Sequence, residues 1–168
     1  MRNRTKVLRK LIALYKRIPP APPCAKHCTK CCGPVFMAKV EAEMLGVGEC
    51  VTPHDPDTLK CAFIKDGKCS VYDKRPLTCR IFNTTTGEHP LACFHTENGT
   101  LSTGEVEAIY EEYFREVVAG NPEDALAMMQ AMDRYADAGY EHDLRNGWLH
   151  HDPRTGEPVA NYAGGDHG

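Results

Sequence analysis

The 168-residue sequence predicts a mainly α fold with an irregular, metal-organised, cysteine-rich centre and one small β-hairpin. Three observations predict this class. Apolar residues recur at helical spacing near both ends of the chain, an Asp66-Gly67 pair separates two strand-like runs, and all nine cysteines lie between residues 24 and 93, eight of them in clusters once Cys50 is set aside. A chain of this length is expected to form one structural domain. We divide it into residues 1–22, 23–100, 101–145 and 146–168.

Residues 1–22 predict a basic amphipathic helix and a proline-rich spacer. The helix repeats apolar residues with a period of three or four, at Val7, Leu8, Leu11, Ile12, Tyr15 and Ile18. Prolines between positions 19 and 23 stop it, because proline cannot continue a helix. Such a helix either buries its apolar face on its own domain, which is the simpler expectation, or docks on a partner protein or an anionic surface.

Residues 23–100 form the predicted metal-binding region. Eight of its cysteines are clustered as metal ligands commonly are, namely Cys24, Cys28, Cys31, Cys32, Cys61, Cys69, Cys79 and Cys93. Eight thiolates can close two four-ligand sites. Adjacent side chains diverge, so one of Cys31 and Cys32 is expected to serve a different metal atom. That atom belongs either to a second mononuclear site or to a polynuclear iron–sulfur cluster, and the spacing leaves both open.

A disulfide framework is the competing interpretation of so many cysteines, but it belongs to oxidising compartments. The N-terminus lacks the uninterrupted apolar run and cleavage site of a secretory signal. No 18-residue apolar segment occurs, so no transmembrane segment is predicted. We therefore expect a cytoplasmic protein with reduced thiols. The formal net charge of −3 gives no clear nucleic-acid signal.

Between the two cysteine groups, the sequence predicts a short helix from Val35 to Leu45, ended by Gly46. Residues 46–60 contain glycines and prolines and predict a loop. Cys50 lies in this loop without a spacing partner. We expect it to be a partly buried thiol outside the ligand set, because cysteine commonly behaves as a small hydrophobic residue.

The hairpin has two possible registers with different consequences for the metal ligands. In a two-residue turn at Asp66-Gly67, Ile64 faces Cys69, and Cys61 and Cys69 point to opposite faces. In a three-residue loop with a bulge at Gly67, Phe63 faces Cys69 and the two cysteines share a face. A shift of one residue therefore decides whether the two cysteines can serve one site.

Residues 101–145 predict a helical hairpin that packs on the cysteine region. The first helix spans about 105–119, and Gly120-Asn121-Pro122 forms the turn. The second runs to about residue 138 and ends at Gly139, with its inward face made by Leu126, Met129, Met132, Tyr135 and Ala136. Residues 146–168 are rich in glycine, proline and aspartate and predict an irregular tail.

The cysteine pattern resembles the YkgJ-like cysteine-cluster family of zinc- or iron-chelating domains. The first block is C-x3-C-x2-C-C, the CxxxCxxCC signature, at residues 24–32. The second is G-x-C-x-x-Y-x-x-R-P-x-x-C-R at residues 67–80, preceded by Cys61 and followed by Cys93. The resemblance covers about residues 24–95. It implies that the eight cysteines are the ligands and that Arg75 and Arg80 interact with the sulfurs. It also implies iron–sulfur, most simply [4Fe-4S], with zinc as the alternative.

The function expected from this pattern is that of a structural or electron-carrying module that serves a protein partner. Family members extend to a flagellin lysine methylase, so the alternative is a metal-dependent redox or methyl-transfer enzyme acting on a protein. Catalytic residues are unknown, because no catalytic constellation stands out. The first three cysteines have the spacing of radical SAM enzymes, but 137 residues after Cys31 (168 − 31) are too few for a full barrel. His27 and His95 lie near cysteines, and we do not expect them to be ligands.

Overall fold

The computed structural model describes residues 2–20, 29, 32–82, 84–85, 99–145, 149–151 and 158–160. The chain divides into two compact units, Met1–Ala131 and Met132–Gly168. The first unit contains the hydrophobic core and the described cysteines, and the boundary between the units falls inside the last helix. The predicted division of residues 1–145 into three segments of one domain stays a prediction.

A helical frame contributes many of the side chains in the hydrophobic core of the first unit. It consists of α1 (Arg2–Arg17), α4 (Thr103–Tyr113) and a π-helical turn that follows α4 (Phe114–Val118). The frame is held by buried side chains from all three elements, chiefly Val7, Leu11, Leu14, Ile18, Val106, Ile109, Tyr113 and Val117. The predicted amphipathic helix at the N-terminus is thus confirmed, and its apolar face lies against its own domain.

Ion pairs join the polar side of α1 to neighbouring elements. Arg4 pairs with Glu43, Lys10 with Glu116 and Arg17 with Glu112. All six side chains are substantially exposed to solvent, so each pair contributes at most about 1 kcal/mol. These contacts place part of the positive charge of α1 against acidic side chains of the same chain.

Helix α2 (Lys39–Leu45) is shorter than predicted. Residues from Val35 to Ala38 are not helical, because Phe36 pairs with Val51 and the Met37 amide donates to the Cys50 carbonyl at 2.9 Å. The backbone in this stretch forms sheet-like bonds with the loop instead of helical ones. The predicted stop is confirmed, since Gly46 has a left-handed φ of 71°.

The hairpin adopts the two-residue turn. Strands β1 (Ile64–Lys65) and β2 (Lys68–Cys69) are antiparallel, and Ile64 is opposite Cys69. Asp66 and Gly67 both have positive φ values, 51° and 71°, as the tight hairpin turn requires. The three-residue alternative is therefore wrong. A short 3-10 turn (Tyr72–Lys74) then leads to α3 (Leu77–Ile81).

Helix α5 (Pro122–Arg145) departs from the prediction in length and in orientation. Gly139 does not end it, since an isolated glycine costs only about 1 kcal/mol in a helix. On α5, the buried residues that belong to the first unit are Met128 and Ala131. The predicted inward residues Leu126, Met129 and Met132 are exposed by 54%, 61% and 43%. Ala136 is also exposed, and the Tyr135 side chain lies outside the described set. Two sets of apolar residues on α5 have helical spacing, and packing buries the set that contains Met128 and Ala131.

The second unit contains a hairpin where an irregular tail was predicted. Strands β3 (Leu149–His151) and β4 (Pro158–Ala160) pair antiparallel, with His150 opposite Val159. The remaining residues of the tail, including Trp148, lie outside the described ranges. The fold class is still as predicted, mainly α with small antiparallel strand pairs. In the part of the chain that the structure describes, no helix has the length and apolar character needed to cross a membrane.

Candidate metal centre

Four of the eight predicted ligands lie in described segments. Cys32 is in the chain leading to α2, Cys61 precedes β1, Cys69 ends β2, and Cys79 is in the middle of α3. All four are partly exposed. The other four predicted ligands, Cys24, Cys28, Cys31 and Cys93, lie outside the described residues.

The described cysteines converge from separate elements. The thiols of Cys61, Cys69 and Cys79, here called the thiol cluster, are close enough to interact electrostatically with one another. The amide of Cys61 also donates a hydrogen bond to the carbonyl oxygen of Cys32 at 3.0 Å. Residues separated by up to 47 positions, from Cys32 to Cys79, therefore meet in one region.

The observed hairpin register does not separate Cys61 from Cys69. Regular alternation of side chains would put them on opposite faces. Strand β1, however, begins only at Ile64, and the Ile64 amide bonds back to the Cys61 carbonyl at 3.1 Å. Cys61 forms an isolated antiparallel bridge with His54, and the turn at Ala62 and Phe63 separates it from β1. The alternation of the strand therefore does not extend to Cys61, and its sulfur can approach that of Cys69.

The thiol cluster disfavours negative charge unless a cation balances it. Loss of hydration on burial, followed by the negative charge of Cys61, raises the pKa of Cys79 to about 12. Burial also raises the pKa of Cys61, and the charge of Cys69 adds to this effect. A bound cation reverses this situation, since metals bind the thiolate form. The donor chemistry of the cluster thus fits zinc or iron.

The thiol cluster is nevertheless an incomplete site. Within the described ranges, no three side chains of histidine, cysteine, aspartate or glutamate are arranged to hold a metal ion. Zinc and iron–sulfur sites of the cysteine type need four sulfur ligands in tight geometry. Completion of a site requires further cysteines, and Cys32 and the four outside the described residues are the predicted donors.

The two predicted arginines have different surroundings. Arg75 is the nearer to the cluster, because its Nη1 donates to the Cys79 carbonyl at 3.4 Å and its charge lowers the pKa of Cys79. Its guanidinium also lies 3.5 Å from the centroid of the Tyr72 ring. Arg80 donates from Nε to the Arg75 carbonyl at 2.8 Å and lies over the Tyr15 ring. Arg75 is thus placed to balance thiolate charge, whereas the contacts of Arg80 organise the backbone around the cluster.

Sequence reasoning missed Thr52, a buried residue that links two cysteine segments. Its hydroxyl donates to the Gly33 carbonyl at 3.2 Å, accepts from the Val35 amide at 2.9 Å and bonds with Cys61. Gly33 follows Cys32 directly, so Thr52 connects the chain around Cys32 to Cys61. A threonine in a loop carries no sequence signal for this role, since its partners are 17 and 19 residues away.

A second missed contact holds α3 on the frame. Tyr110 of α4 donates its hydroxyl hydrogen to Thr78 Oγ1 at 2.9 Å, next to Cys79. Burial raises the pKa of Tyr110 to about 12. The neutral phenol is therefore maintained at physiological pH, and it stays available as a donor.

Cys50 lies apart from the thiol cluster, in the hydrophobic core. Only 2% of it is exposed, and it belongs to the same cluster of buried apolar residues as the side chains of the frame. The environment suits a core side chain, as expected for the cysteine outside the ligand set. Its absence from the ligands stays a prediction, and His27 and His95 fall outside the described residues.

Comparison with known proteins gives one match. The family model named CxxCxxCC, described as "Putative zinc- or iron-chelating domain", matches residues 23–110. This range covers just over half of the chain and includes all eight predicted ligands. No curated protein and no solved structure gives a significant match.

Proposed function

Because the chain belongs to the CxxCxxCC family, whose described role is chelation of zinc or iron, we propose that it is a protein with a cysteine-ligated iron–sulfur centre. The eight cysteines other than Cys50 supply the ligands in this proposal. The centre has a structural or electron-carrying role and serves a protein partner.

The observation that carries the proposal is the convergence of the thiol cluster. Three cysteines from an isolated bridge, a strand and a helix interact with one another, and the Cys61 amide bonds to the Cys32 carbonyl. Apolar packing does not account for this arrangement, because the thiols are partly exposed and mutually raise the cost of ionisation. Metal ligation accounts for it, since a bound cation offsets several thiolate charges at once.

Iron–sulfur is favoured over zinc by the Cys31-Cys32 pair. Neighbouring cysteines point in different directions, and a polynuclear cluster offers several irons to which they can bind. A [4Fe-4S] centre with four thiolates carries a net negative charge in its usual oxidised state. Arg75, whose guanidinium reaches the Cys79 carbonyl, supplies positive charge at this position.

A protein partner and a cytoplasmic location follow from the same chemistry. Sites closed by four thiolates have no open position for a small substrate, so an electron-carrying centre would exchange electrons with another protein. Reduced thiols persist in the cytoplasm, where disulfides are rare. The apolar face of α1 is buried in the frame, so that face is not available as the docking surface.

Anaerobic purification with metal and acid-labile sulfide analysis tests the proposal. We expect brown protein that contains iron and sulfide, and a Cys79→Ser variant with much less of both. Stoichiometric zinc without sulfide would support a metal-chelating role and rule out an iron–sulfur centre. Protein that takes up neither metal under reducing, anaerobic conditions would overturn the proposed function.

A further inference from the structure

A carboxylate lies at the centre of the first unit. Glu41 of α2 is only 1% exposed, although a buried charge is strongly unfavourable without compensation. Within the described residues, no lysine or arginine forms an ion pair with it. Neutral donors supply the compensation instead, from four different parts of the chain.

Each oxygen of Glu41 accepts one bond from a backbone amide and one from a tyrosine. Oε1 accepts from the Tyr15 hydroxyl at 2.6 Å and from the Leu77 amide at 2.7 Å. Oε2 accepts from the Ala38 amide at 2.9 Å and from the Tyr113 hydroxyl. The carboxylate therefore connects α1, α2, α3 and α4.

The bond to Leu77 has a direct consequence for the metal-binding region. Helix α3 has five residues, far fewer than an isolated helix needs for stability. Its N-cap is Pro76, which provides no side-chain cap, so the first helical amide would lack an acceptor. Glu41, 36 positions away, provides the acceptor. Cys79 is two residues beyond Leu77.

We infer that Glu41 is a positioning residue for Cys79, fixing the start of α3 through the Leu77 amide so that the sulfur is presented to the metal. This inference rests on the proposed function. It adds a group that is not a ligand and that no spacing of cysteines indicates.

The Leu77 bond requires an acceptor oxygen at position 41. Glutamine does not test this bond, because the Ala38 amide also donates to the Tyr113 hydroxyl at 2.6 Å, so the NH2 group can face that side while the remaining oxygen still accepts from the Leu77 amide. Glu41→Met removes both oxygens and keeps a side chain of similar length. Val117→Ala is the control for loss of buried volume, since Val117 is 1% exposed and its apolar side chain takes no part in the hydrogen-bond network.

The test is a titration of reduced, metal-free, full-length protein with Co2+, followed by thiolate-to-cobalt absorption. We expect Glu41→Met to bind Co2+ roughly 10–100-fold more weakly, the range typical of groups that orient metal ligands. Its absorption bands should also shift, because they report ligand geometry. Val117→Ala should match the unaltered protein in both respects. Equal affinity and identical bands for Glu41→Met would overturn the inference.

A second pair of variants isolates the bond itself and serves if Glu41→Met does not fold. Leu77→Pro removes the amide hydrogen at a position where proline is tolerated, and Leu77→Ala removes a similar part of the core while keeping that hydrogen. We expect weaker Co2+ binding for Leu77→Pro than for Leu77→Ala. Equal binding would overturn the inference. Failure of the unaltered protein to bind Co2+ through thiolates would instead show that the proposed function is wrong.

Discussion

The helical frame and the cysteine segment, residues 61–82, are built on different physical principles. The frame uses helices of 16 and 11 residues, and side chains such as Leu11 and Val106 are 0% exposed. The cysteine segment has two strands of two residues and a helix of five. Apolar burial stabilises the frame, whereas the cysteine segment has little regular structure and partly exposed thiols. From this difference we expect that bound metal is needed for the folded structure of the cysteine segment and not for that of the frame.

Metal removal should have the largest effect on stability, and the resulting local unfolding should be confined to the cysteine segment. Structural zinc is worth about 10–16 kcal/mol in finger peptides, comparable with the whole stability of a domain. We expect amide hydrogen exchange to accelerate in residues 61–82 after chelation under reducing conditions, while α1 and α4 stay protected. Unchanged protection of the cysteine segment, or an equal loss of amide protection in α1, would contradict this difference between the two regions.

Truncation in the frame should lower stability without removing metal. Leu11→Ala deletes a fully buried side chain and should cost about 2–5 kcal/mol. The adjacent Ile12 is 41% exposed, so Ile12→Ala should change stability by less than about 0.5 kcal/mol. Urea unfolding measures both, and metal analysis of the folded protein should give the same content for each. A loss of metal in Leu11→Ala would show that the two regions are not separable.

The buried tyrosines give the frame a distinct pH dependence. Burial first, and then the negative charge of Glu41, raise the pKa of Tyr15 and Tyr113. A raised pKa in the folded state means that the stability is fully present below the ordinary phenol pKa of about 10 and is lost as the pH rises above it. Tyr113→Phe should cost about 1.5–3 kcal/mol at neutral pH, through the lost bond to a charged group.

Above pH ~10, Tyr113→Phe should lose stability less steeply than the unaltered protein, because one titrating group is gone. Unfolding free energies between neutral pH and pH ~11 check this. Tyr72→Phe is the control, since that ring is 50% exposed, and its pH profile should follow the unaltered protein. Parallel profiles for Tyr113→Phe would exclude the proposed origin of the alkaline loss.

Cys50 offers the test with the smallest expected effect, because this cysteine lies in the hydrophobic core that the frame helps to form. Cys50→Ala removes a small buried group and should cost about 1 kcal/mol, with no change in metal content. Cys69→Ala should lose metal instead. Stability from urea unfolding and metal per folded protein distinguish the two. Metal loss in Cys50→Ala would mean that the ligand set is assigned wrongly.

The sequence alone determined the features that depend on neighbours along the chain. The 3.6-residue apolar period located α1 and α4, Asp66-Gly67 located the hairpin, and Gly46 ended α2. The cysteine motif indicated metal binding in the same way. Each of these signals lies within a few residues, so the physics that produces the structure is local.

Tertiary structure alone decided which distant groups meet. It selected the Met128 and Ala131 face of α5 over an equally periodic one, and it placed a turn between Cys61 and β1, so that strand alternation does not relate Cys61 to Cys69. It also gave Glu41 the donors Tyr15, Leu77 and Tyr113, which no local pattern specifies. The fourth donor, the Ala38 amide, is the local N-cap bond of α2. The physical reason is that long-range packing and hydrogen bonding depend on the whole fold, whereas helix, turn and ligand motifs depend on spacing along the chain.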